Sequence, residues 1–241
     1  MIKVNLSFLF FIIYTALTAQ NVIDIEGAMV KSDTLKKTIY LCFTGHDFVD
    51  GFEYVISVLN KQKVKGSFFL TGDFVRNNKG LVINIRNNGH YVGAHSDKHL
   101  LYCDWNKRDS LLHSEKRIKE DILQNLRALK KLGIRSKYFM PPYEWYNKKV
   151  VEIASQLGQT TVNFSPGTRS NADYTTPDLP NYISSDDILE SINRYQSSNS
   201  MNGFHLLIHP GTSEKRKDKF YLKLNELITK LKKEGYQFSK F

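Results

Sequence analysis

The sequence predicts an α/β barrel, a sheet of parallel strands wrapped by the helices that connect them. Seven short apolar, β-branched or aromatic runs recur along the chain, near 39–44, 65–71, 91–95, 137–141, 160–165, 205–209 and 236–241, as strands buried on both faces do. Between them lie segments with the three-and-four spacing of amphipathic helices. Such alternation implies a parallel sheet, open or closed. No glycine-rich phosphate loop follows the first strand, which disfavours an open nucleotide-binding sheet and leaves the barrel.

The first twenty residues precede this pattern. Lys3, the apolar run Leu6–Leu17 and small residues near Ala19 have the layout of a cleavable secretory signal. A run of about a dozen residues is short against the ~20 that span a bilayer. Residues 21–241 are therefore expected to form one exported domain, periplasmic or secreted, without stable membrane insertion. Within it, Tyr54, Val55, Val58 and Leu59 mark the first helix, followed by helical segments near 75–88, 109–132, 147–157, 185–196 and 214–233. Gly66, Gly89, Gly133, Gly158 and Gly235 supply helix-ending signals.

The formal net charge of +10 suits an acidic polymer such as a cell-wall glycan, or simply solubility. The basic residues crowd into helix faces such as 214–233 without interleaved aromatics, so nucleic-acid binding is not expected. Two cysteines, Cys42 and Cys103, do not make a disulfide scaffold, and a bridge between them is left open. Nothing in the pattern speaks to oligomeric state.

In such barrels chemistry gathers at the C-terminal ends of the strands. After strand one comes Thr44-Gly45-His46-Asp47, after strand three His95-Ser96-Asp97-Lys98-His99, after strand four Pro141-Pro142-Tyr143-Glu144-Trp145, and strand six ends in His209-Pro210-Gly211. A helical turn would put His95 and His99 on one side, spaced to chelate one ion. A carboxylate would complete a three-ligand site with a position open for water. Asp47 is the best placed; Asp97 and Glu144 are its rivals, and Asp97 suits a helix cap equally well. His90 and His205 fall at the opposite rim and His113 in the long helix, where structural roles are expected.

HSDKH at 95–99, PPY at 141–143, DY at 173–174 and LLIHP at 206–210, in this order, resemble the polysaccharide deacetylases with NodB homology over roughly residues 38–241. The resemblance implies a distorted (β/α)7 barrel and a metal-dependent hydrolase that removes N-acetyl or O-acetyl groups from a polysaccharide or cell-wall glycan. It implies a Zn2+ ion, or Co2+ or Ni2+, on His95 and His99, and His209 as the catalytic acid; Asp173 is the candidate to orient it, since a nearby carboxylate raises an imidazole pKa. It also implies groove walls from Pro142, Tyr143, Glu144 and Trp145 on one side and Tyr174 on the other.

The first motif departs from that family. Members carry Thr-Phe-Asp-Asp-Gly, the first aspartate a general base and the second a metal ligand. Here Cys42-Phe43-Thr44-Gly45-His46-Asp47 stands instead. Aligned without a gap, the aspartates become Thr44 and Gly45; a two-residue shift puts His46 and Asp47 there, and the shift is preferred. The arginine usual before Pro-Pro-Tyr is Met140, and Arg169 is a candidate to replace it. The expected reaction is attack of a metal-activated water on an acetamide, with His46 or a nearby carboxylate taking the proton and a backbone N–H at Tyr143 steadying the oxyanion. A glycan-binding barrel without hydrolysis, an O-acetyl esterase of a plant-type polysaccharide and an open-sheet binding protein are the other readings.

Overall fold

Two short strands that the apolar pattern did not reveal, β1 (Val22–Ile23) and β2 (Met29–Lys31), open the fold. The seven expected strands follow as β3 (Thr38–Gly45), β4 (Ser67–Leu70), β5 (Tyr91–Ala94), β6 (Tyr138–Phe139), β7 (Thr160–Thr161), β8 (Phe204–Ile208) and β9 (Gln237–Ser239). This computed structural model describes residues 20–241, so the expected signal segment lies outside the described residues but for Gln20.

The helices are α1 (Phe52–Lys61), α2 (Gly72–Asn77), α3 (Lys79–Asn87), α4 (Glu115–Lys131), α5 (Lys148–Gln156), α6 (Ser185–Ser198) and α7 (Leu224–Lys233). The segment expected as one helix over 75–88 breaks at Asn78, whose amide donates to the Phe74 carbonyl at 3.1 Å. The helix expected from 109 begins only after Ser114, whose hydroxyl caps the Arg117 N–H, leaving His113 in the preceding loop. The last helix starts at Leu224 rather than near 214, because Arg216 is wholly buried in the loop before it.

The sheet runs β1-β2-β8-β3-β4-β5-β6-β7, with β9 added on β3. From β8 to β7 every pairing is parallel, as strand-helix alternation requires, whereas β2 is antiparallel to β8. Past β7, the Asn163 N–H donates to the Met29 carbonyl and the Ser165 N–H to the His205 carbonyl, which curls the sheet back on itself. The expected barrel is therefore observed, distorted and unevenly closed.

Alternate side chains of each strand face two apolar layers. Leu41, Phe43, Phe68, Leu70, Val92, Leu206 and Ile208 pack outward against the helices. Cys42, Phe69, Met140, Val162 and Leu207 fill the interior. Each large apolar side chain so buried contributes about 1.5–3 kcal/mol. Gly93 leaves room for this interior, since a Cβ there would lie 2.7 Å from the Phe69 ring. Phe241 closes the lower end, its ring 4.8 Å from Tyr138 and 4.9 Å from His205 between centroids. Among the described residues no helix is long and apolar enough to cross a membrane.

Candidate active site

With the lower end filled, the chain opens at the C-terminal strand ends into a cleft of about 520 Å3. His46, Asp47, His95 and His99 line it from the β3 and β5 side, and Tyr143, Glu144, Tyr174 and His209 from the other. Thr44, Phe48 and Trp105 complete its rim.

The loop after β5 is held from three sides. Asn125 of α4 accepts the His95 N–H at 2.9 Å and donates to the Leu70 carbonyl at 3.0 Å, joining the ends of β4 and β5. Asp97 receives two hydrogen bonds from the Arg76 guanidinium of α2, at 2.7 and 3.0 Å, so this rival ligand is already paired. Asp121 accepts the Lys98 N–H and the Tyr102 hydroxyl. The expected helical turn is absent: residues 95–100 form a loop, with Ser96 at φ 69° and His99 at φ 53°. That loop nonetheless brings the His95 and His99 rings to 5.0 Å between centroids. His95 Nδ1 lies 2.7 Å from the Met140 carbonyl and must donate to it, which leaves Nε2 as the lone-pair nitrogen. Burial pushes His95 down to about 3 and His99 to about 2, so both are neutral donors at ordinary pH.

At the end of β3, His46 stacks on His99, ring centroids 4.4 Å apart and planes within 15°. Its Nε2 is 3.2 Å from Asp47 Oδ1, and its Nδ1 is 3.5 Å from the Thr71 hydroxyl. The Asp47 side chain is 67% exposed and lies on His46 rather than on the two buried imidazoles. Gly45 faces the helix layer, where a Cβ would lie 2.8 Å from both Leu70 and Phe52. The donor chemistry of His95 and His99 suits a divalent transition metal, and Asp47 lines the same cleft. Among the described residues, however, no three such side chains are gathered around one point.

The opposite wall centres on His209. Asp173, 1% exposed, accepts the His209 N–H at 2.8 Å through Oδ2 and the ring Nδ1–H at 2.5 Å through Oδ1. Burial alone would lower the His209 pKa, but the charge and hydrogen bond of Asp173, helped by Glu144, outweigh it and raise it. Tyr174 stands edge-on to this ring at 5.2 Å. After Pro141-Pro142 the backbone turns through two consecutive left-handed residues, Tyr143 at φ 60° and Glu144 at φ 54°. Such conformations cost about 1–3 kcal/mol each and persist only where surrounding contacts impose them. Here Asn163 donates to the Glu144 carbonyl at 3.1 Å. Tyr143 covers His99 at 4.5 Å, and burial, reinforced by Asp173 and opposed by His209, pushes the Glu144 carboxyl up to about 7.

Four of the residues singled out do not line the cleft. Asp173 stands behind His209, and Pro142 is buried beneath the turn. Trp145 packs on Trp105 at 5.3 Å and is backed by Arg108 at 4.2 Å, so it supports the exposed Trp105 ring. Arg169 turns to the Asn181 carbonyl at 3.3 Å, and so does not take the place of the arginine that Met140 displaces. The sequence pattern missed Arg216, which donates to the Thr175, Ile183 and Asp218 carbonyls and pins the loop following Asp173 and Tyr174. No signal marked it, because it stands in a basic stretch that reads as solvated.

A histidine-lined cleft at the C-terminal strand ends is where α/β barrels carry their chemistry. The chain belongs to the polysaccharide deacetylase family, whose model matches residues 31–162. It is 30% identical over 185 residues to the YlxY protein of Bacillus subtilis, covering 76% of this chain and 50% of that one. It is 26% identical over 184 residues to a peptidoglycan N-acetylglucosamine deacetylase of Bacillus cereus, covering 76% of each. The chain thus spans about half the length of the first of these relatives. Among solved structures, a CE4 family pseudoenzyme from Bacillus anthracis shares the fold with a TM-score of 0.70 at 22% identity, covering 90% of this chain and 68% of that one.

Proposed function

We propose that the chain is a hydrolase that removes acetyl groups from an N-acetylated polysaccharide or cell-wall glycan. The observation that carries this reading is the hydrogen-bonded His209–Asp173 pair across one cleft from the neutral imidazoles of His95 and His99. An amide nitrogen leaves only once it is protonated, and Asp173 raises the hold of His209 on the proton that step needs. Family membership supports the reading, as does similarity to the Bacillus cereus deacetylase.

His95 and His99, with Asp47 from the facing loop, would hold a zinc, cobalt or nickel ion. When bound, such an ion supplies Lewis acidity toward the acetamide carbonyl and lowers the pKa of water beside it. The protein's own groups do the rest. Met140 fixes the His95 tautomer through its carbonyl. Trp105, Tyr143 and Tyr174, each half-exposed on the rim, offer faces for sugar rings. His209 Nε2 donates to the departing nitrogen while Asp173 holds Nδ1.

Acetate release from N-acetylglucosamine oligomers and from acetylated xylan, each with added Zn2+, Co2+ or Ni2+, tests the proposal. Release from the oligomers should exceed that from xylan, and His209→Ala should lower it about 10^2- to 10^4-fold. A wild-type chain that releases acetate from neither sinks it and leaves a glycan-binding barrel. Export belongs to the same proposal: N-terminal sequencing of the periplasmic or secreted product should read from near Gln20 or Asn21.

A further inference from the structure

Resting on the hydrolase reading above, we propose that Glu144 is the general base of this site, a carboxylate supplied from the loop after β6 because Asp47, the carboxylate that follows β3, lies exposed against His46.

The first observation is what stands at β3. Thr44 lines the cleft but carries a hydroxyl, and Gly45 points into the helix layer, so neither can accept a proton. His46 already has a neighbour at each ring nitrogen, Asp47 at 3.2 Å and the Thr71 hydroxyl at 3.5 Å.

The second is a survey of carboxylates around the cleft. Asp97 is spent on Arg76, Asp173 on His209, and Asp47 is largely exposed against His46. Glu144 differs. It lines the cleft, and among the described residues its carboxylate oxygens have no hydrogen-bond or ion-pair partner.

The third is how it is aimed. Two consecutive left-handed residues put Glu144 on the cleft wall, and Asn163 holds its carbonyl there. Its charge is felt by His209 and Asp173, which places it on the side of the general acid. Burial gives it an affinity for protons near neutrality, as a base for water requires.

The balance closes. Glu144, ionised, takes one proton from water as the water oxygen bonds to the acetamide carbon and the carbonyl π pair moves to its oxygen. That pair re-forms the C=O as the C–N bond breaks, the nitrogen takes the proton from His209 Nε2, and acetic acid and a free amine result. Transfer of the Glu144 proton to His209 resets both groups.

The test measures acetate release from N-acetylglucosamine oligomers by wild type, Glu144→Gln and Glu144→Asp, with kcat and KM separated, and Zn2+ binding by calorimetry on each. Glu144→Gln should lose about 10^2- to 10^4-fold in kcat, keep KM and zinc affinity within about threefold, and lose the acid limb of the pH profile. Glu144→Asp should recover part of the loss. An active wild type whose Glu144→Gln variant keeps kcat within about threefold overturns this proposal alone. Loss of zinc binding in Glu144→Gln also overturns it, making the residue a ligand. An inactive wild type overturns both readings.

Discussion

At the residue scale the chemistry turns on which groups hold protons. His209 is buried, and burial by itself would strip its charge; Asp173, touching both its backbone and its ring, reverses that. An acid works only while protonated, so activity falls as pH rises through the His209 pKa, and raising that pKa extends activity upward. Asp173→Asn removes the chief raising causes and leaves burial. The alkaline limb of kcat should therefore move to lower pH, and kcat at pH 7.5 should drop about 10- to 100-fold. An unmoved limb would show that Asp173 does not set the charge. These two residues were legible as a pair in the sequence only through motif order, since 36 positions separate them. Asp47 shows the limit of such legibility. It stands at the right strand end, yet whether its carboxylate meets the buried histidines or its own neighbour depends on one rotation at an exposed loop.

At the scale of elements, strands were easy to read and helix starts were not. Strands buried on two faces are continuous apolar runs, and all seven emerged. Strands β1 and β2 are two and three residues long, too short for any periodicity, and they are ordered by pairing with distant chain. The loop after β5 carries the same lesson. Spacing placed His95 and His99 together through a helical turn, whereas left-handed residues and the Asp97–Arg76 pair do so through a loop docked on α2. Asp97→Ala leaves Arg76 without that partner and frees the loop. Because Arg76 is 40% exposed, the stability loss should be modest, about 1–2 kcal/mol by urea unfolding, with a clear weakening of Zn2+ binding. Unchanged zinc affinity would show that the loop holds its shape without the pair.

At the scale of the molecule, folding buries histidines that do no chemistry. His205 donates through Nδ1 to the Asn163 carbonyl and accepts from the Ser32 hydroxyl, while His90 accepts the Gly66 N–H. Burial lowers both to about 4. A histidine whose folded pKa is depressed stabilises the fold fully above its unfolded value, near 6.5, and loses that stability as pH falls toward the folded value. Between pH 7 and 5 each should cost about 2 kcal/mol, read as a falling urea midpoint. A flat profile over that range would mean that both rings accept charge without penalty.

The sequence by itself determined the α/β alternation, the seven parallel-sheet strands and the gathering of His46, His95, His99 and His209 at one rim, because buried strands and strand ends follow from local hydrophobic pattern and from the polarity of a parallel sheet. Only the tertiary structure decided that Asp97 belongs to Arg76, that Arg216 is buried rather than solvated, that Asp47 lies on His46, and that Glu144 is, among the described residues, the unpaired carboxylate of the cleft. Those outcomes depend on which distant segments meet and which hydrogen bonds are already taken when they do, and no spacing along one chain encodes that.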